Sequence, residues 1–201
     1  MEDYVESKSV DRRIQKTLKL LHEALMSLVV EKKYEKISVQ EILDRANVGR
    51  STFYTHYRDK DELLLQAFDG LRAELEAAQA AAPGISGKSY ERTIGFSQAM
   101  FGHAHGYRQV YAALIRSEAG PIVRQRIQKV IVDLIQVEFK RQSAKGEKTA
   151  TTLPPDLMIH YLASTFLSLL EWWVGEKNEL SAESMNSIYR TLVLPVLASS
   201  V

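Results

Sequence analysis

The segment RSTFYTHYRDK, residues 50–60, carries side-chain hydrogen-bond donors at Arg50, Ser51, Thr52, Tyr54, Thr55, His56 and Lys60. Hydroxyls, an imidazole, a guanidinium and an ammonium in one short run can all donate to oxygen acceptors, and a guanidinium can hold both acceptors of a guanine edge at once. None of them is arranged as a nucleophile beside its base. At helical spacing Phe53 and Tyr57, four apart, share the inward side and leave Arg50, Ser51, Thr52, Tyr54, Thr55 and His56 largely outward. An apolar back and a donor-rich front on one short helix suit binding to an acceptor-rich surface, not turnover in a cleft.

The rest of the chain offers little for catalysis. It holds no Gly-rich phosphate loop, no G-x-S-x-G and no H-E-x-x-H. Its 201 residues include no cysteine, which excludes a thiolate nucleophile, a cysteine-based metal site and a disulfide framework. His103 and His105, two apart on a helix, point about 200° away from each other and cannot share a metal. No enzyme activity, catalytic residue, metal or cofactor is expected. The start, MEDYVESKSVDRR, lacks the apolar core of a signal peptide, and the absence of cysteine fits a reducing compartment, so the cytoplasm is the expected location. The longest apolar run, 157–174, approaches membrane-spanning length, but His160, Ser164, Thr165, Ser168 and Glu171 interrupt it. A buried helix is expected there, and no membrane partner.

Charge is distributed unevenly. The net formal charge is only +1, yet residues 7–60 hold 12 Lys and Arg against 7 Asp and Glu. A polyanion would select such a local excess. The elements that carry it read as helices throughout, with no sustained strand alternation. Ile14, Leu18, Leu21, Leu25 and Leu28 step by four and three along a first helix over about 10–31. Ser38 and Glu41 form the S-x-x-E capping box of a short second helix. In the break NVG, Asn47 tolerates a left-handed backbone, Val48 plugs the gap and Gly49 caps the next helix, which makes a helix-turn-helix. Asp59 caps a long helix to about residue 82. Pro and Gly in 81–89 predict a loop, as does the polar, Pro-terminated stretch 142–155. Further helices are expected around Tyr107–Ile115, from Gly120 to about 141, over 156–177 and over 181–197.

The stretch ISVQEILDRANVGRSTFYTHYRDKDELLLQAF resembles the DNA-binding signature of the tetracycline-repressor (TetR/AcrR) family of bacterial regulators, with a match over about 18–68. Its most specific part is STFYTHYRDKDELL, where the family has a small residue, Thr, an aromatic, Tyr, any residue, His or Tyr, an aromatic, then Lys. In two places the chain departs from the pattern: Asn47 stands where the family has Gly at the turn, and Gly49 where it has a Ser or Thr cap. Both meet the backbone demand, but a side-chain phosphate contact from the cap is lost. The Trp172–Trp173 pair with LSAESMNSIYRTLVLPVL resembles the C-terminal region of a subgroup that includes dihydroxyacetone-kinase regulators.

The resemblance implies an all-α fold of about nine helices: a three-helix DNA-binding domain over 1–60 and a larger helical effector-binding and dimerisation domain over 61–201. It implies a ligand-responsive regulator, a repressor, that binds a palindromic double-stranded DNA operator as a homodimer. By resemblance and by chemistry, Tyr54 and Lys60 hold phosphates and Ser38, or the amide end of its helix, holds another. Arg50 reads a base, and Ser51, Thr52, Thr55 and His56 are contacts of unassigned type. A small-molecule effector is expected among the helices after residue 89, with Phe96, Met100, His103, Tyr107, Tyr111, Phe166 and Trp172 as lining. The helix over 156–177 is apolar almost all round, so one face is expected in the core. The other, with Tyr189, Leu192 and Val196 of the last helix, is expected against a second subunit. A protein-binding adaptor that kept this fold and lost its DNA contacts would differ in one respect: it would show no salt-sensitive binding to duplex DNA.

Overall fold

Ser38 opens the short helix that its capping pattern predicts. In the computed structural model, which describes residues 2–82, 90–146, 153–175 and 179–198, Glu41 N donates to Ser38 Oγ (3.3 Å) and Ser38 N donates to Glu41 Oε2 (2.9 Å). The Lys32 ammonium first, then the Ser38 amide and hydroxyl, hold the Glu41 carboxyl down at about 2. A depressed carboxyl stabilises the fold fully above its ordinary value and ceases to do so as the pH falls through about 2. The capping box is thus intact across neutral pH.

Among the described residues there are ten α-helices, a 3₁₀ turn and no strand. They are α1 (Glu2–Glu31), the turn Tyr34–Lys36, α2 (Val39–Ala46), α3 (Arg50–His56), α4 (Lys60–Ala81), α5 (Tyr90–Thr93), α6 (Ser97–Gly106), α7 (Arg108–Ile115), α8 (Gly120–Ala144), α9 (Pro155–Gly175) and α10 (Ala182–Ala198). The one beyond the expected nine is α5, a single turn. Helix α8 continues three residues past the expected end, into the stretch expected as a loop over 142–155, and of the two expected loops residues 83–89 and 147–152 lie outside the described residues. A Cβ on Gly120 would stand 2.5 Å from the Ile115 carbonyl, so glycine alone lets α8 start against the end of α7.

Helices α1, α2 and α3 form a head, and α1 also packs on α4 and α7. Of the predicted α1 stripe, Leu21, Leu25 and Leu28 are buried, while Ile14 and Leu18 are half-buried. Helix α2 leaves through Asn47 in the left-handed region (φ 52°, ψ 48°), which lets Val48 N donate to Leu43 O at 3.1 Å. Gly49 caps α3 with ordinary extended backbone (φ −69°, ψ 147°) and no side-chain bond. Asp59 accepts the Glu62 amide (2.8 Å) and starts α4, which spans from the head to α5, α6 and α8.

One predicted phosphate ligand is used inside this head. Lys60 Nζ donates to the carbonyls of Tyr34 and Ile37, each at 2.8 Å, reaches that of Glu35 at 3.5 Å, and lies 4.5 Å from the centre of the Tyr34 ring. Tyr34 in turn donates its hydroxyl to Asp61. The open carbonyls of the 3₁₀ turn need donors, and the ammonium supplies them. This corrects the expectation for Lys60: it clamps the turn before α2 to the start of α4.

The larger part centres on an aromatic cluster. Phe166 of α9 sits 4.7 Å from Phe101, 5.3 Å from Phe96 and 5.1 Å from Tyr189, and Phe101 meets Trp173 at 5.7 Å, centre to centre. The polar tips are satisfied: Tyr189 donates to Leu162 O (3.2 Å) and Trp173 to Leu180 O (2.9 Å). Helix α9 is long and apolar enough to cross a membrane, but Met158, Leu162, Phe166, Leu170 and Trp173 make its inner face part of this core.

Two outcomes test the head. Asn47→Ala should lower stability by about 1 kcal/mol, because Ala pays for the left-handed turn, while Asn47→Gly should stay near neutral; the midpoint of urea unfolding reads both. Lys60→Met should cost about 1–2 kcal/mol by the same measurement and leave the salt dependence of duplex binding unchanged. A salt slope reduced by about one would put the lysine back on a phosphate.

Candidate nucleic-acid interface

Seven residues make α3, and one side of it is shut. Phe53 is 0% and Tyr57 2% exposed, packed 5.5 Å apart behind the helix. Turning those two inward forces Arg50, Ser51, Thr52, Tyr54 and Thr55 to the surface, with His56 half-buried at the helix end. Tyr54 is 52% exposed and stands edge-on to Phe53 at 5.3 Å, so its ring is braced while its hydroxyl faces water. The structure therefore brings six of the eight predicted contact residues onto a single outward surface.

Their hydrogen bonds distinguish them. Arg50 Nη2 donates to Gln40 Oε1 (2.8 Å), and Gln40 Nε2 donates to Asp44 Oδ1 (2.7 Å). This relay along α2 holds the guanidinium over the groove between α2 and α3 with other donors unused. Thr55 donates its proton to the Ser51 carbonyl (2.9 Å), so it presents a methyl group and an acceptor rather than a donor. Ser38 stands apart: it donates to Glu41 Oε2 through both its hydroxyl and its amide, at 2.9 Å each. A carboxylate already occupies that helix end and repels a second anion, which corrects the expectation of a phosphate there.

Ion pairing trims the positive excess of the head. Arg45 grips Glu31 with two bonds of 2.7 and 2.8 Å, Lys32 pairs with Glu41, and Arg58 pairs with Glu62 at 3.2 Å. Gln40 and Tyr34 were not singled out from sequence. Gln40 had a local signal, its i,i+4 spacing from Asp44. Tyr34 had none, since its partners Lys60 and Asp61 lie far along the chain.

The seven expected effector-lining residues separate. His103, Tyr107 and Tyr111 line a cavity of about 740 Å³ bounded by α1, α4, α6 and α7. Phe96, Met100 and Phe166 have no exposed surface; they fill the aromatic core, which corrects their assignment as lining. Trp172 points outward from α9, 49% exposed, one residue from the buried Trp173, because consecutive helical residues diverge by about 100°. The expected subunit face changes in the same way: Tyr189 is core, while Leu157, Trp172 and Leu192 remain outside.

Comparison with known proteins accounts for both halves. Residues 21–67 match the family described as bacterial regulatory proteins, tetR family, and residues 92–194 match the family described as transcriptional regulator C-terminal region. Over 58 residues the chain is 40% identical to the uncharacterized HTH-type transcriptional regulator YxbF of Bacillus subtilis (strain 168), covering 28% of this chain and 15% of that protein. Over 59 residues it is 36% identical to the HTH-type dhaKLM operon transcriptional activator DhaS of Lactococcus lactis subsp. lactis (strain IL1403), covering 29% and 32%. The matched segments thus span less than a third of either relative. The crystal structure of a TetR transcriptional regulator from Streptococcus agalactiae 2603V superposes with a TM-score of 0.64 at 28% identity, over 93% of this chain and 98% of that one. With the head and the larger part both matched, the chain belongs to the tetR family of bacterial regulatory proteins and is a transcriptional regulator with a DNA-binding helix-turn-helix.

Proposed function

We propose that the protein is a homodimeric, ligand-responsive repressor that places α3 of each subunit in the major groove of a palindromic operator in the cytoplasm. The observation that carries this reading is the donor face of α3, set outward by the burial of Phe53 and Tyr57. A seven-residue helix reaches only a few base pairs, so useful affinity needs two half-sites related by a two-fold axis. On each half-site Arg50 reads a base, Tyr54 holds a phosphate, and Ser51, Thr52, Thr55 and His56 complete the contact. Lys60 and Ser38 act indirectly, by fixing the turn and the helix on which those residues stand.

The dimer face supported by the fold is the outer side of α9 and α10, where Leu157, Trp172 and Leu192 stay exposed. Small-molecule control works by population shift: an effector that prefers the splayed arrangement lowers operator affinity by no more than that preference. Helix α4 transmits it, since it begins at the recognition helix and is held to α8 by Arg72–Asp133 at 2.9 Å. An activator is the second reading, favoured by the name of the relative DhaS. Footprinting on genomic DNA separates the two: a site overlapping the promoter supports repression, one upstream of it activation.

Arg50→Ala should relax preference at one base position and cost about 1–3 kcal/mol on the specific site, with little change on random duplex; equal losses on both remove the base-reading role. Leu192→Glu should shift sedimentation from dimer to monomer and weaken operator binding far more than binding to a single half-site. A variant that still sediments as a dimer places the subunit contact elsewhere.

A further inference from the structure

The cavity beside His103 lies across the junction of head and larger part, not inside the larger part. Leu18, His22 and Met26 of α1 form one wall; Phe68 and Gly70 of α4 form another; Val110 and Leu114 of α7 close it with His103. At about 740 Å³ it is within the range of small-molecule sites. Most of its lining is apolar, and the ionised groups at its edge are already matched: Glu23 pairs with Lys19 at 3.7 Å, and Asp69 with Arg126.

Two imidazoles supply the interior polarity. His22 Nε2 lies 2.9 Å from the Leu63 carbonyl, which only accepts, so Nε2 carries the proton and Nδ1 is left as an acceptor. His103 Nδ1 lies 3.2 Å from the Tyr111 hydroxyl, and whichever atom donates, the pair retains one donor and one acceptor. Burial lowers both histidines below their ordinary value, outweighing the Leu63 carbonyl at His22 and Glu74 at His103, and so favours the uncharged ring in each. The site thus offers an apolar body a place to bury and a hydroxyl a donor and an acceptor, while the charges on its rim, Lys19, Glu23 and Asp69, are each already in an ion pair.

We propose that this junction cavity is the effector site, and that it takes an uncharged molecule with an apolar body and a hydroxyl group. The proposal rests on the ligand-responsive reading above and adds its place and chemistry. The position has a mechanical consequence. His22 bonds to the first turns of α4, and its ring stands edge-on to Tyr57 at 6.1 Å, the aromatic that backs α3. An occupant against His22 therefore bears on the recognition helix through a single intervening side chain.

A set of probes with one body and different heads tests it: 4-octylphenol, octylbenzene and 4-octylbenzoate, titrated calorimetrically into the full chain below their aggregation limits. The expected result is one 4-octylphenol per chain, with octylbenzene and the benzoate each weaker by about tenfold or more. Gly70→Phe should abolish binding; a Cβ at Gly70 meets no atom within 4 Å, so the ring enters open space and the helix loses only a glycine. His103→Phe should bring 4-octylphenol to the level of octylbenzene, with cooperative melting retained. No binding of 4-octylphenol, equal binding by the benzoate, or undiminished binding by Gly70→Phe overturns the proposal. Binding to random duplex at low salt is measured alongside. Duplex binding without probe binding removes the site alone, and probe binding without duplex binding removes the regulator reading alone.

Discussion

A helix of seven residues does not hold its shape in water, so the DNA-facing surface exists only because Phe53 and Tyr57 are buried behind it. Fully burying each of these aromatics contributes about 1.5–3 kcal/mol, which a short helix in water lacks. That burial also fixes the phase. With residues 53 and 57 inward, no rotation of α3 keeps them covered and turns Arg50, Ser51, Thr52 and Tyr54 away from solvent. Helix α2 packs on α3, and His22 of α1 stands edge-on to Tyr57, so the recognition helix is only as well placed as those two helices.

This constraint explains why so many donors in the head are occupied. Lys60, Ser38 and Thr55 have chemistry suited to a phosphate, but each meets an internal acceptor first: carbonyls of the 3₁₀ turn, the Glu41 carboxylate and the Ser51 carbonyl. A backbone carbonyl without a donor at a tight turn is costly, and a nearby ammonium satisfies two at once. Arg50 differs because its partner Gln40 is neutral and exposed, so the bond positions the guanidinium without neutralising it. The donors that remain for DNA sit on the front of α3; those around its base hold it in place.

What was legible in the sequence was local along the chain. The capping box at Ser38 and Glu41, the left-handed Asn47, the Asp59 cap and the inward pair Phe53 and Tyr57 each depend on residues within four positions of one another, and all appear as expected. What was not legible joins distant positions. Lys60 meets Tyr34 across 26 residues, and nothing in the periodicity of either segment announces it. The phase of α9 was hidden for another reason: with apolar residues nearly all round, Trp172 and Trp173 were equal candidates for the core, and only contacts with Phe101 of α6 and the Leu180 carbonyl, distant in sequence or outside any periodicity, select Trp173. Phe96, Met100 and Phe166 were misread in the same way, since an aromatic that lines a cavity and one that fills a core have the same spacing.

The filled core bears on where a signal can enter. Phe96, Phe101, Phe166, Trp173 and Tyr189 form a packed cluster, and opening it for a ligand would forfeit contacts throughout α6, α9 and α10. The junction of α1, α4 and α7 already has space, so an occupant there gains burial without first displacing side chains. Its walls belong to both halves of the chain, whereas a ligand enclosed by one half would have to move helices before the head could respond. The free energy that shifts the head is the difference in a ligand's affinity for two arrangements, and that difference is largest where the walls themselves move relative to one another. His22 stands on that boundary, bonded to α4 on one side and against Tyr57 on the other. The contact that keeps α3 in phase is therefore also the point at which a change in the angle between α1 and α4 reaches the DNA-facing surface.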